Sequence, residues 1–114
     1  MTSPQKLSKE RGRGLEYRIA KLVHGVRVGR SKAVKVDGKW IQTDCQRPPD
    51  VVNSWASFEC KSRANVPQLI SKGMGQAVHN APDGHACFLV IYDREQRCSY
   101  VVQTLEQFLD LHER

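Results

Sequence analysis

The sequence predicts an α/β fold with the element order αβββαββα or one close to it. Apolar residues recur at helical spacing near the N-terminus and before a breaker cluster at residues 81–84, whereas other stretches alternate with the period of strands. The length of 114 residues fits one globular core. We therefore expect a single domain over residues 1–114, with residues 1–8 as a flexible basic arm.

The first helix is predicted to follow Ser8, which is suited to an N-cap. We expect it to end at Gly25 as the C′ residue, with His24 in the last turn. Its apolar positions recur at i, i+4, i+7 and i+8: Leu15, Ile19, Leu22 and Val23.

The next segment has the pattern of strands and turns. Residues 26–46 alternate, which predicts a strand and then a hairpin around Asp37-Gly38. Pro48-Pro49 delivers the chain, extended, into a short strand over residues 50–52. Asn53-Ser54 then turns it back into a second strand over residues 56–61.

Two helices and two strands are predicted in the remainder. Asn65 and Pro67 indicate the N-cap region of a helix that runs to Asn80. The apolar run over residues 86–92 predicts a central strand buried on both faces. A strand over residues 99–103 follows, and Thr104 caps a short final helix.

Net charge points to a polyanionic partner. The chain carries +6 at pH 7 and has a sequence pI near 9.4, which favours nucleic acid. A solvated positive face is the alternative. No run of about 18 apolar residues exists to span a bilayer, and the N-terminal residues are polar, so we expect an intracellular protein without a membrane partner.

Cysteine spacing gives no metal or redox motif. The four cysteines form no Cys-x-x-Cys pair and are interpreted as reduced thiols. His85 and Cys87 offer a mixed pair for zinc, but a strand position is the favoured interpretation of this cysteine.

The strand over residues 56–61 carries the chemistry. Its period of two places Glu59 and Lys61 on one face with Ser57, and the short hairpin brings Asp50 beside them. Carboxylates are natural ligands of Mg²⁺ or Mn²⁺, and lysine suits a phosphate. The alternative is a solvated Glu-Lys pair and an ordinary turn aspartate.

Pro49-Asp50 followed by Glu59-Cys60-Lys61 resembles the signature of the PD-(D/E)XK nuclease superfamily. The segment Gly12–Ile19 resembles the first helix of archaeal-type Holliday-junction resolvases, which also occur in phages. The resemblance covers about residues 10–103. It implies a restriction-endonuclease-like core, in which helices flank a mixed central β-sheet.

The resemblance also implies a function. The protein would be a homodimeric, structure-selective endonuclease that resolves four-way DNA junctions with Mg²⁺ or Mn²⁺ in a prokaryotic or phage-infected cytoplasm. Asp50, Glu59 and the backbone carbonyl of Cys60 would bind the metal, Lys61 would be the catalytic lysine, and Glu16 would match the acid of the first helix.

Glu16 lies at the edge of the buried stripe of that helix, because Ile19, Ala20 and Val23 follow it at i+3, i+4 and i+7. A partly buried acid needs a partner. A metal, a metal-bound water or an arginine would serve, and a salt bridge to Arg13 or Lys21 is the alternative to a catalytic role.

Polar and basic residues elsewhere complete the predicted site. Gln76 lies four residues past Lys72 on one helix face, and both are candidates to reach the scissile phosphate. An exposed polar face explains Gln76 equally well and is the favoured interpretation of Lys72. A basic cluster that includes Lys35 precedes the motif and would flank the site as phosphate contacts, with a solvated loop as the alternative. The predicted DNA contacts are Lys9, Arg11, Arg13, Arg27, Arg30, Ser31, Lys32 and Lys72.

Two rival functions stay open. The motif does not separate a junction resolvase from a nicking, repair, flap or single-strand nuclease of the same fold. A nucleic-acid-binding protein without catalysis, in which the acids and the lysine are structural, is the rival from another class.

Overall fold

The described part of the chain contains three helices and seven short strands. The structure is a computed structural model, and it describes residues 4–43 and 48–113. The elements are α1 (Pro4–Leu22), β1 (Val26–Arg27), β2 (Ala33–Val36), β3 (Lys39–Gln42), β4 (Val51–Val52), β5 (Ser57–Phe58), α2 (Gln68–Asn80), β6 (Leu89–Asp93), β7 (Cys98–Val102) and α3 (Leu105–His112). Mixed helix and sheet therefore confirm the α/β class.

The chain divides into two compact units, Met1–Arg63 and Ala64–Arg114. The first contains α1 and strands β1 to β5, and the second contains α2, β6, β7 and α3. That the whole chain acts as one nuclease domain stays a prediction. No helix in the described ranges is both long enough and apolar enough to cross a membrane.

The strands of the described residues form three small antiparallel sheets. Their orders are β1-β4-β5, β2-β3 and β6-β7. The expected mixed central sheet is not what these residues form. Three of the four strand pairs join neighbours in sequence through short turns, and a short turn gives antiparallel pairing, whereas a parallel pair needs a long crossover.

Helix α1 begins earlier than the sequence predicts. Its first residue is Pro4, so residues 4–8 belong to the helix and not to the expected flexible arm, whose first three residues lie outside the described range. Proline suits this position because the first turn of a helix does not use its backbone N–H groups.

The end of α1 shows why the predicted role of Gly25 as C′ is wrong. His24 takes the left-handed position with φ 54°, and Gly25 N donates to the Ala20 carbonyl at 2.8 Å, as the C″ residue of a Schellman motif does. Gly25 is needed for a different reason. A Cβ there would lie 2.6 Å from the carbonyl oxygen of Val52 in β4.

The core of the first unit lies between α1 and the strands. Ile19 and Ala20 of α1 and Val23 just after the helix are buried, whereas Leu22 is 38% exposed. The β2–β3 hairpin turns at Asp37-Gly38, both with positive φ, which confirms the predicted turn. A valine cluster fills the sheet side and consists of Val28, Val34, Val36 and Val52.

In the second unit, α2 packs on β6 through Gly73, where a Cβ would meet the Leu89 side chain at 2.8 Å. Helix α2 keeps its predicted bounds, and Thr104 caps α3 by accepting from Gln107 N. The prediction that β6 is buried on both faces is wrong. Its burial alternates: Leu89 packs against α2 and is half-buried, whereas Val90 and Tyr92 on the opposite face are exposed.

We expect Gly25→Ala to lower the free energy of unfolding by about 1–3 kcal/mol. The added methyl group would collide with the Val52 backbone, which cannot move aside as the end of a flexible side chain could. Gly12→Ala in α1 is the matched control. No heavy atom lies within 4 Å of its added Cβ, so it should gain about 0.5–1 kcal/mol. Urea unfolding of both variants measures the difference, and an unchanged midpoint for Gly25→Ala would contradict the close approach.

Candidate functional site

The hairpin of β4 and β5 is fixed to α1 by one buried side chain. Asn53 is 4% exposed, and its Oδ1 accepts from the backbone N–H groups of Trp55 and Ala56 at 2.9 and 2.7 Å. Its Nδ2 donates to the carbonyl of Val23 at 3.1 Å. The turn predicted at Asn53-Ser54 is therefore confirmed, and it is tied to the last turn of α1.

Asp50 occupies a bulge at the start of this hairpin. Val51 is the register partner of Phe58, yet Asp50 N also donates to the Phe58 carbonyl at 3.1 Å, so two residues oppose one. This is the pattern of a β-bulge, which redirects side chains and is common beside active sites. The Asp50 carboxylate accepts from the backbone N–H of Cys60 at 2.8 Å through Oδ2.

Strand β5 is shorter than predicted. It ends at Phe58, so Glu59, Cys60 and Lys61 lie just beyond it. The physical reason is that the Cys60 amide bonds to the Asp50 side chain instead of to strand backbone. The predicted alternation is nevertheless present, because Glu59 and Lys61 are exposed while Phe58 and Cys60 are half-buried.

Glu59 and Lys61 form an exposed ion pair. The Lys61 Nζ lies 3.4 Å from Glu59 Oε1, and the two side chains are 66% and 61% exposed. A pair this open to water contributes little to stability. Its geometry leaves both groups accessible to a ligand from solvent. A shallow cleft of about 360 Å³ adjoins Glu59 and is lined by Pro49, Ser57, Phe58 and Glu59.

Glu16 pairs with an arginine, which is one of the partners expected for it, but this arginine is Arg27 and not Arg13. Its Oε2 accepts from Arg27 Nε of β1 at 2.8 Å, and the Arg27 guanidinium also lies 5.1 Å from the centre of the Tyr17 ring. The Glu16 side chain is 16% exposed, as its place at the edge of the buried stripe predicts. The hydrogen bond that Arg27 donates to Glu16 raises the pKa of Arg27 above its ordinary value.

This pairing changes the interpretation of Arg27. The sequence places it among the DNA contacts, but the structure joins it to the candidate acid of α1. A signal existed, since Arg27 is the only predicted DNA contact within a strand of the first unit. Side chains on strands of a small core face neighbouring elements more often than loop side chains do.

Three acids act on one thiol. Burial raises the pKa of the Cys60 thiol, and the negative charges of Asp50, Glu16 and Glu59 raise it further. The charges of all three predicted carboxylates therefore affect Cys60, although the residues come from α1 and from both sides of the β4–β5 hairpin.

The donor set matches the chemistry of a hard divalent cation. Carboxylates of Asp50, Glu59 and Glu16 and the carbonyl of Cys60 are all oxygen donors, which Mg²⁺ and Mn²⁺ prefer. Within residues 4–43 and 48–113, no three His, Cys, Asp or Glu side chains converge closely enough to hold an ion. Each glutamate instead bonds a cationic side chain, and Asp50 bonds an amide.

The predicted DNA contacts lie mainly at the surface of the first unit. Lys9, Arg11 and Arg13 are exposed on α1, as are Arg30, Ser31 and Lys32 in the loop before β2. Residues 1–63 contain 14 lysines and arginines against 6 acids, whereas residues 64–114 contain 4 against 6. The positive charge of the chain is therefore concentrated in the first unit.

Sequence reasoning missed the residue that orders the basic loop. Thr43 is 3% exposed, and its Oγ1 donates to the Ser31 carbonyl at 2.7 Å while its N–H donates to the Lys32 carbonyl at 2.8 Å. No pattern in the sequence marks a threonine at the end of a strand as a loop anchor. Through it, the loop with Arg30 and Lys32 is held to the β2–β3 hairpin.

Lys72 and Gln76 lie in the second unit. Both are exposed on α2, four residues apart as predicted. Their role at a phosphate stays a prediction.

Cys87 lies before β6, which begins at Leu89, so the strand position favoured for this cysteine is wrong. Cys60, Cys87 and Cys98 are free, and Cys45 lies outside the described residues. The Cys87 backbone is instead held by Gln107, which accepts from its N–H at 2.6 Å and donates to its carbonyl at 2.9 Å.

Comparisons with known proteins add no relative, because no family model, curated protein or solved structure matches this chain.

The effect of the three acids on the Cys60 thiol is testable by measuring how fast the thiol is alkylated. In a protein whose other cysteines are replaced by serine, the rate of alkylation at pH 8 should increase when Asp50→Asn, Glu59→Gln or Glu16→Gln removes a negative charge. The sign follows because a raised pKa reduces the thiolate, and the thiolate is the nucleophile. Glu10→Gln on the same helix is the control and should leave the rate unchanged. Equal rates in all four variants would show that the acids do not act on this thiol.

Proposed function

We propose that this protein is a metal-dependent DNA endonuclease that resolves four-way junctions. The observation that carries the proposal is the bond from Cys60 N to Asp50 Oδ2 at 2.8 Å. It holds the segment with Glu59 and Lys61 beside Asp50, so that two acids and one lysine occupy the mouth of one hairpin. The resemblance of these residues to the nuclease signature is the second support.

The proposed roles follow from the chemistry of each group. Asp50, Glu59 and the Cys60 carbonyl would hold Mg²⁺ or Mn²⁺, with Glu16 as a further acid. When bound, the metal supplies positive charge that polarises a phosphate oxygen and lowers the pKa of a water. Lys61 is accessible at 66% exposure, and its ammonium would offset the negative charge that grows on the phosphate.

Hydrolysis then needs one water and one proton acceptor. The water oxygen forms a bond to phosphorus, the bond from phosphorus to one sugar oxygen breaks, and that oxygen takes up a proton. Glu59 or Asp50 would receive the proton of the water, since both carboxylates lie near the open end of the hairpin. The basic surface of the first unit would bind the flanking phosphates.

Cleavage of an end-labelled four-way junction tests the proposal against a linear duplex with the same arms. In Mg²⁺ or Mn²⁺ we expect paired nicks in the junction and none in the duplex. Lys61→Ala should reduce the rate by about 10²–10³-fold, and Asp50→Asn and Glu59→Gln by at least as much. Asp50→Asn is chosen because it keeps an oxygen that can accept from Cys60 N.

Two controls make this result specific. Lys21→Ala removes an exposed lysine from the last turn of α1 and should cleave as the parent does. EDTA should abolish cleavage by the parent. Equal cleavage of junction, duplex, flap and single strand would show that the protein is a less selective nuclease and not a resolvase. No cleavage in either metal would contradict the proposal that it is an enzyme.

A second candidate function is DNA binding without catalysis. The observation that favours it is that both glutamates already bond cationic side chains, Glu16 with Arg27 and Glu59 with Lys61. Such a protein binds junctions equally well in EDTA and in Mg²⁺, and Asp50→Asn changes nothing. Calorimetric titration with Mn²⁺ separates the two candidates, because only the enzyme should lose metal binding in the Asp50→Asn variant.

The proposed resolvase acts as a homodimer, since two symmetric cuts need two sites and each chain carries one. One face of the β6–β7 hairpin supplies a candidate contact surface. Val90 and Val101 are directly opposed across the hairpin and are 62% and 61% exposed, with Tyr92 beside them. This apolar face belongs to the acid-rich part of the chain, which disfavours DNA as its partner.

Sedimentation velocity at micromolar concentration tests the dimer. We expect a dimer for the parent and a monomer for Val101→Glu, because the new charge would be buried without a partner. Arg94→Glu alters charge in the adjoining turn without touching the apolar pair and is the control. Only monomer in the parent, with and without junction DNA, would remove this part of the proposal.

A further inference from the structure

Trp40 is exposed in a place where the fold does not need it. It lies on β3 and is 67% exposed, the highest value among the large apolar side chains of the described residues. The core lies on the other face of the same hairpin, where Val34, Val36 and Ile41 pack. The alternation of these strands therefore turns the indole away from the core and into solvent.

The hairpin presents this indole next to a positive charge. Lys35 is the register partner of Trp40 and is also exposed, so the two side chains leave the same face of the β2–β3 sheet. Directly opposed residues in an antiparallel pair have Cβ atoms about 4.5–5.5 Å apart. That spacing is suited to a flat base on the indole and an adjacent phosphate on the ammonium.

Two features fix the conformation of the hairpin face that carries Trp40 and Lys35. The turn at one end consists of Asp37 and Gly38, both with positive φ, which matches the twist of a hairpin. At the other end, Thr43 bonds the Ser31 and Lys32 carbonyls and fixes the basic loop beside the hairpin. A pre-organised surface loses little conformational entropy on binding.

We propose that Trp40 and Lys35 form a stacking platform for an unpaired base of a DNA strand, with Lys35 on the neighbouring phosphate. An exposed indole stacks on any base, and a basic surface binds the backbone. The excess of positive charge in residues 1–63 is complementary to DNA and disfavours a cationic or purely apolar partner. The proposal rests on the proposed function in that it identifies unstacked bases near a branch point as a recognised part of the substrate.

Tryptophan fluorescence in EDTA tests the platform. Trp55→Phe leaves Trp40 as the only tryptophan, since the chain has two. We expect oligothymidine and a four-way junction with unpaired bases at its centre to quench this emission, and a linear duplex to leave it unchanged. In the parent background, Trp40→Ala should weaken binding of oligothymidine by about ten-fold, the effect of one lost stacking contact.

Further variants separate stacking from charge and from folding. Trp40→Phe should restore part of the affinity and Trp40→Leu none, because only phenylalanine has a π face. Lys35→Ala should keep the quenching and reduce the slope of log affinity against log salt by about 1. Gln42→Ala, on the same face, should bind as the parent does. Thermal unfolding should be similar in all variants, as their side chains are exposed.

The outcomes distinguish this platform from the nuclease. Parental affinity for oligothymidine in Trp40→Ala, or absence of quenching, would overturn the platform even if junctions are cut. Quenching and loss of affinity in a protein that cuts no DNA would support the platform and remove the nuclease. Equal quenching by linear duplex would also overturn it, because a paired base does not expose its π face to a side chain.

Discussion

The candidate site depends on one buried amide. Asn53 bonds the backbone of its own turn through Oδ1 and the last turn of α1 through Nδ2, and its burial makes each bond costly to lose. The β4–β5 hairpin therefore has one position relative to α1. Because Gly25 allows β4 to approach the end of that helix closely, Glu16 on α1 and Asp50 on the hairpin act on the same thiol.

The bulge at Asp50 determines where strand β5 ends and which side chains of the hairpin reach solvent. In a regular antiparallel ladder, the backbone N–H of Cys60 would bond to the backbone of the opposite strand. Here the extra residue redirects the carboxylate, which accepts the Cys60 amide instead and ends the strand at Phe58. Glu59 and Lys61 consequently follow β5 on a segment without a second strand beside it. Their exposure is the result, and it makes them accessible to a ligand.

Local patterns predicted the elements well and their partners poorly. The Asp37-Gly38 turn, the Asn53 turn and the bounds of α2 depend on short-range preferences that the sequence shows directly. Pairings such as Glu16 with Arg27, 11 positions apart, depend on how α1 packs on β1, and no local pattern contains that information. The left-handed conformation of His24 also depends on packing. Glycine is the preferred residue for that conformation, but the glycine of this segment is at position 25, where the close approach of Val52 leaves no room for a Cβ. The predicted burial of β6 failed because an apolar run indicates burial only when other elements cover both faces.

If the proposed function holds, the pairing of the charges near Cys60 would suit an approaching phosphate. Three bare carboxylates would repel it, but Arg27 offsets Glu16 and Lys61 offsets Glu59. Asp50 is bonded to an amide, which stabilises its negative charge without cancelling it. Opposite charges at these distances attract by about 1 kcal/mol in water and by several times that where solvent is partly excluded. The exposed Glu59–Lys61 pair is therefore the easier to separate, and the half-buried Glu16–Arg27 pair the harder. If a divalent cation takes the place of Lys61 at Glu59, the lysine becomes available to the phosphate while Glu16 stays with Arg27. The Glu59–Lys61 pair is therefore the one that a ligand could separate. Glu16, held by Arg27, would contribute mainly to the structure of the site and less to its net charge.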